Sequence, residues 1–215
     1  QNPRTSSREI PSGVISAKSG LVFTLINAVL FIAAAWLINP ICGWLSPVAL
    51  LVIMGYSLTK KITALCHLIL GLGLSLAPIG AYLAVSGSFH WLPLIFSAVV
   101  LTWVSGFDII YALQDHDFDK QKDLFSIPVW LGKKGALAVS TVLHIQTAGL
   151  VILAGILANF GWFYFTGTII FIGLLAYQHR IIKPDDLSMV NRAFGTTNGI
   201  ASVIFAIFVL VELFL

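Results

Sequence analysis

Charge is what this 215-residue sequence has least of: twelve basic and nine acidic side chains make up only 10% of it, against roughly 25% in ordinary globular chains. A soluble surface of this size cannot be built from so few, which excludes an ordinary soluble domain and, with the hydrophobic content, a disordered one. Cysteine is nearly absent. Cys42 and Cys66 are the only two, too few for a disulfide scaffold, and neither has the neighbours of a metal site. The basic residues occur in pairs at most, Lys60-Lys61 and Lys133-Lys134, so no nucleic-acid partner is expected. Internal repeats and domain linkers are also missing. The chain opens on Gln1 and a polar stretch, with no apolar signal segment, and the expectation is a piece of a longer protein.

What remains is apolar. Hydrophobic residues make up 58% of the sequence, aromatics 12%, and the mean hydropathy is +0.96. Seven runs are long enough to cross a bilayer: residues 21–38, 42–58, 62–85, 91–112, 135–158, 162–177 and 190–215. Each should be a helix, because only a helix satisfies its own backbone in lipid and the alternation of barrel strands is absent. The predicted fold is an all-α polytopic transmembrane bundle forming a single domain over 1–215. Alternating crossings put every Lys and Arg at or within about a turn of one membrane face, and of the nine acids only Glu212 falls toward the other. The positive-inside rule makes the charged face cytoplasmic. Loops on the opposite face, at 39–41, 86–90 and 159–161, are too short to form a site, so chemistry belongs to the charged face of a multi-pass protein, with a bacterial inner membrane as the expected location.

The acidic residues concentrate where the fourth span leaves the membrane, in "GFDIIYALQDHDFDKQKDLFSIPVWLGKK". If the helix continues past the interface at about 100° per residue, Asp108, Tyr111, Asp115 and Asp119 point to about 0°, 300°, 340° and 20°. They share one face, while Asp117 points to about 180°. Two carboxylates about 7 Å apart repel by roughly 2.4 kcal/mol at an effective dielectric near 20, so a stripe of three calls for a counter-ion. A divalent cation suits it, since Mg²⁺ is typically held by one or two carboxylates together with substrate phosphates. The alternative is an exposed acidic helix end partnered by Lys120 and Lys122. Against that, Asp108 lies about a turn inside the membrane boundary, where a charge is costly.

"DIIYALQDHDFD" resembles the second aspartate-rich motif of the UbiA superfamily of intramembrane prenyltransferases. "NPRTSSREIPSGVIS" is similar to the segment that follows that family's first aspartate-rich motif, and "GYSLTKKITALCHLILGLGLSLAPIGAY" to its Y-x-x-x-K helix end and Gly-rich helix. The match runs in order along essentially the whole chain and is closest to bacterial enzymes that prenylate 4-hydroxybenzoate. It implies a nine-helix fold, of which the first two helices and the first aspartate motif would precede Gln1, so the sequence as it stands is expected to be inactive alone. It also implies transfer of a polyprenyl group from a polyprenyl diphosphate to an aromatic acid in ubiquinone or menaquinone biosynthesis, through Mg²⁺-assisted ionisation of the diphosphate and attack of the carbocation on the ring. Asp108, Asp115 and Asp119 become the metal and catalytic candidates, with Tyr111 beside them; Asp108, the deepest, is equally suited to orienting a base or the acceptor. Arg4, Arg8, Tyr56 and Lys60 become candidates for binding diphosphate or acceptor, the arginines through bidentate contacts and Tyr56 and Lys60 by sharing a helix face.

Asn198, Asn27, His67, His144 and Gln146 are polar residues within spans, suited either to lining a cavity or, more commonly, to interhelical hydrogen bonds; Asn198 is carried as a substrate-binding candidate. A monomer in the bilayer is expected. The competing reading is a transporter with an acidic cytoplasmic vestibule, which would place ionisable groups near midplane and show repeat symmetry; neither is found. A retinal-type photoreceptor would need a lysine in the last span, which has none.

Overall fold

A computed structural model describes residues 5–215. Seven long helices occupy the seven predicted runs: α1 (Ala17–Ile38), α2 (Pro40–Thr59), α3 (Cys66–Ser86), α4 (Trp91–Ala112), α6 (Ile127–Leu157), α7 (Trp162–Ile181) and α8 (Asn198–Phe214), with a short α5 (His116–Gln121) between α4 and α6. The described residues form no strand beyond an isolated bridge between Lys183 and Asp186. Six of the helices are long and apolar enough to cross a membrane. The seventh, α7, has the length but ends in Gln178, His179 and Arg180. This is a multi-pass integral membrane architecture.

Local chemistry sets the boundaries. Asn39 serves two helices: its Oδ1 accepts from Cys42 N at 2.9 Å, capping α2 ahead of Pro40, while Nδ2 donates to Leu83 O at 2.8 Å and ties the turn to the end of α3. Gly87, with φ of 65°, closes α3 in the left-handed conformation that glycine adopts without strain. Helix α6 starts earlier than the apolar run because Ser126 caps it, its hydroxyl accepting from Val129 N at 3.3 Å; Gly132, at φ 69°, then breaks the helix before the membrane segment proper.

Helix α4 is the axis of the bundle, packed between α3 and α6 and touching the π-helical stretch Arg192–Thr197 ahead of α8. Its contact with α6 is close. Ser140 Oγ donates to Gly106 O at 2.7 Å, and a Cβ on Gly106 would lie 2.4 Å from the His144 ring. Helix α1, by contrast, buries only Ala35 and shows lipid an apolar surface all round. At the far face, Glu212 caps the start of α7, its carboxylate accepting from Gly161 N and, at 3.3 Å, from Tyr164 N. Glu212→Ala is therefore expected to lower stability by about 1–2 kcal/mol, read as an earlier thermal unfolding midpoint in detergent; an unchanged midpoint would mean that the cap contributes nothing.

Candidate active site

At the charged end of the bundle a cavity of about 280 Å³ opens between α2, α3 and α4. Helix α4 brings Asp108 and Tyr111 to it, and the 3₁₀ turn Leu113–Asp115 adds Asp115. From the last turns of α2 come Tyr56 and Lys60, from the start of α3 come Cys66 and His67, and the N-terminal segment supplies Thr5 and Arg8. Seven of the predicted residues thus converge, counting Asp119 one step behind. Arg4 lies outside the described residues. Asn198 stands elsewhere: it accepts from Trp103 Nε1 at 3.2 Å and from Gln178 Nε2, joining α4, α7 and α8 in an interhelical hydrogen-bond cluster.

The acidic stripe is reshaped by the break after Ala112. A 3₁₀ turn winds about 120° per residue where an α-helix winds about 100°, so three such residues rotate everything beyond them by roughly 60°. Asp119 consequently leaves the stripe. It is 1% exposed, does not line the cavity, and lies with Oδ2 2.7 Å from Lys60 Nζ. Its Oδ1 has no hydrogen-bond partner among the described residues. The strap after α5 fixes this arrangement, because Phe125 N donates to Lys60 O at 2.8 Å and Leu124 N to Asp119 O at 2.9 Å. Asp117 faces water as its azimuth predicted, 80% exposed and bonded at 2.7 Å to the neighbouring His116 ring.

Asp108 also has a partner that the helical wheel of α4 does not show. His67, 2% exposed, holds Asp108 Oδ2 through Nδ1 at 2.7 Å. Here sequence reasoning weighed His67 only among several intramembrane polar residues. The available signal was two ionisable residues near the same membrane face on consecutive antiparallel spans, where each is the other's cheapest partner. Tyr111 stacks on Phe194 with ring centroids 4.0 Å apart, which fixes its place in the cavity wall.

The donor set fits a hard cation without assembling one alone. Among the described residues no three His, Cys, Asp or Glu side chains converge as a protein-only metal cage requires. Asp108 pairs with His67, Asp119 lies beside Lys60 and Asp115 lines the same cavity, so these carboxylates are the candidates on which a phosphate-bridged ion could be held.

A bundle of helices long and apolar enough to cross a membrane, with a cavity lined by acidic and basic side chains at one end, defines a class, the multi-pass integral membrane proteins with a polar site at the membrane interface. The chain belongs to the UbiA prenyltransferase family, whose family model matches residues 1–209, and is accordingly a prenyltransferase. It is 31% identical over 207 residues to a 4-hydroxybenzoate octaprenyltransferase of Shewanella frigidimarina, covering 94% of this chain and 70% of that one. It is 29% identical to the protein of the same description from Tolumonas auensis, covering 94% and 71%. Among solved structures, the apo form of a UbiA homolog from Aeropyrum pernix K1 superposes with a TM-score of 0.89 at 30% identity, over 99% of this chain and 78% of that one. Enzyme membership disposes of the transporter alternative. Metal dependence is general in the family.

Proposed function

We propose that the chain forms the catalytic body of an aromatic prenyltransferase, moving a polyprenyl group from its diphosphate to a hydroxylated aromatic acid, in quinone biosynthesis of the ubiquinone or menaquinone type. The observation that carries this reading is the cavity itself. It sets Arg8 and Lys60 beside Asp115, with Tyr56 and Tyr111 as aromatic walls, at the end of an apolar bundle. The relatives' descriptions supply the acceptor class.

The residues have distinct tasks. Arg8 and Lys60 attract the diphosphate and stabilise the negative charge that builds as the carbon–oxygen bond breaks, which counts more in the transition state than in the ground state. Asp115 is the residue that would hold Mg²⁺ on this side of the site, where the ion would supply further positive charge to the leaving group. Tyr111 and Tyr56 line the cavity, and an aromatic ring face there is a place where a developing carbocation is stabilised. Apolar helix surfaces suffice for the prenyl tail. The cationic loops support the cytoplasmic face of an inner membrane as the place of this chemistry, and a monomer is proposed as the working unit.

The test is prenyl transfer by the full-length protein in membranes, using a polyprenyl diphosphate with 4-hydroxybenzoate or a dihydroxynaphthoate as acceptor. Product should form with Mg²⁺ and vanish with EDTA, returning when Mg²⁺ is restored. Failure with every hydroxyaromatic acceptor would overturn the reading, and product insensitive to EDTA would remove Mg²⁺ from it.

A further inference from the structure

We propose that Phe194 is a positioning residue of the transfer reaction. Carried on a π-helical turn that Asn198 pins to α4, its ring backs Tyr111 and keeps water from the prenyl carbocation until the acceptor captures it; the proposal rests on the aromatic prenyltransferase reading above. Trp103, Phe107 and Tyr111 follow one another at four-residue spacing along one stripe of α4. Phe194, just ahead of α8, closes that stripe at its cavity end. Its ring stacks on Tyr111 with centroids 4.0 Å apart and planes inclined by 26°, and it meets Phe107 edge to face at 5.5 Å and 74°. Tyr111 thus gives one part of its surface to the cavity and rests another on Phe194.

The backbone that carries Phe194 is irregular and is held by side chains. π-Helical turns are rare and occur mostly as single-turn bulges, frequently at functional sites. Here the turn spans Arg192–Thr197. Thr197 Oγ1 donates to Arg192 O at 3.1 Å, and Asn198 Nδ2 donates to the carbonyl of Phe194 itself at 2.9 Å. Through Oδ1 the same Asn198 accepts from Trp103 Nε1 at 3.2 Å and from Gln178 Nε2, so one amide fixes Phe194 against the stripe on α4. Gly195 and Thr196, next in the turn, are exposed, whereas Phe194 is half-buried. Its ring therefore stands between solvent at the charged end and the back of Tyr111. Ionisation of the donor breaks the carbon–oxygen bond, and the electron pair leaves on the diphosphate. An acceptor ring carbon that captures the cation then loses its proton to the released diphosphate or to solvent, giving the prenylated acid. A water that captures it loses a proton in the same way and gives the free polyprenol. Removing the Phe194 ring opens this second route.

The experiment compares wild type with Phe194→Leu, Phe194→Met, Phe194→Tyr and Phe205→Leu, all full-length in membranes with the hydroxyaromatic acceptor that wild type turns over. Prenylated acid, free polyprenol and the KM of each substrate are read for every variant. Phe194→Leu and Phe194→Met both remove the ring and keep an apolar side chain, so a folding defect in one does not end the test. Each is expected to raise the ratio of polyprenol to prenylated acid on the order of tenfold, the value of one aromatic pair, and to leave both KM values unchanged. Phe194→Tyr, which keeps the ring, should stay near the wild-type ratio. So should Phe205→Leu, because Phe205 is likewise half-buried on α8 but packs on Tyr164 and Phe171, away from the cavity. An unchanged ratio in the ring-deleting variants would overturn the proposal, as would an equal rise in Phe205→Leu or a change confined to either KM. Unfolding of both ring-deleting variants would overturn it too, making Phe194 a residue of the fold alone. Absence of prenyl transfer by wild type would instead defeat the underlying reading, so the two failures are told apart.

Discussion

Asp115→Asn is expected to lower the rate of prenyl transfer by about 10²–10³-fold at saturating substrate and Mg²⁺, the scale for losing one charge-stabilising element of a site. The substitution keeps the side chain's size and removes its charge. Asp115 is 7% exposed and lies on the 3₁₀ turn where α4 ends, so it reaches the cavity while α5 carries its neighbours away. The control is two residues along. Asp117→Asn, at a position 80% exposed and bonded to the neighbouring His116, should leave the rate close to wild type. Initial rates measured side by side in membranes decide the matter. Equal damage from the two would mean that the cavity is not where the reaction occurs, whereas a small effect of Asp115→Asn would take Mg²⁺ binding away from this residue.

Much of this arrangement was legible in the sequence, and the unequal parts have physical causes. Seven apolar runs became seven long helices because lipid leaves a backbone no alternative to helix formation. The one-sided charge distribution put Arg8, Lys60, Asp108, Tyr111 and Asp115 at one end of the bundle, and they line one cavity. The helical-wheel argument separated Asp117 correctly. Asp119 lies off the cavity wall and 2.7 Å from Lys60, since the wheel assumes uniform winding and the chain tightens into a 3₁₀ turn between Leu113 and Asp115. No propensity in "LQD" announces that turn. Pairings between helices were also invisible: nothing along α4 says that Asp108 meets His67 from α3, and nothing along α8 says that Asn198 faces Trp103 and Gln178. These bonds depend on how helices rotate against each other, which single-chain periodicity leaves open.

Lys60→Met tests the second consequence of the broken stripe. In the folded protein Asp119 is 1% exposed with Lys60 2.7 Å away, while Lys60 itself keeps 32% exposure and also lines the cavity. Removing the lysine leaves a buried carboxylate without its cation. That should destabilise the protein by about 3 kcal/mol, at the lower end of the range for a broken buried pair because Lys60 is partly solvated. The double variant Lys60→Met/Asp119→Leu removes both charges and should restore most of the stability. It should not restore activity, because the cavity still lacks the cation that faces the diphosphate. Thermal unfolding in detergent and prenyl transfer in membranes therefore move apart: the single variant loses both, and the double variant regains only the first. If Asp119 were a metal-holding residue and not the counter-ion of Lys60, Asp119→Asn would raise the Mg²⁺ concentration needed for half-maximal rate; as a counter-ion it should leave that concentration unchanged while lowering the unfolding midpoint. A double variant as unstable as Lys60→Met would show that the ion pair is not what Asp119 contributes to the fold.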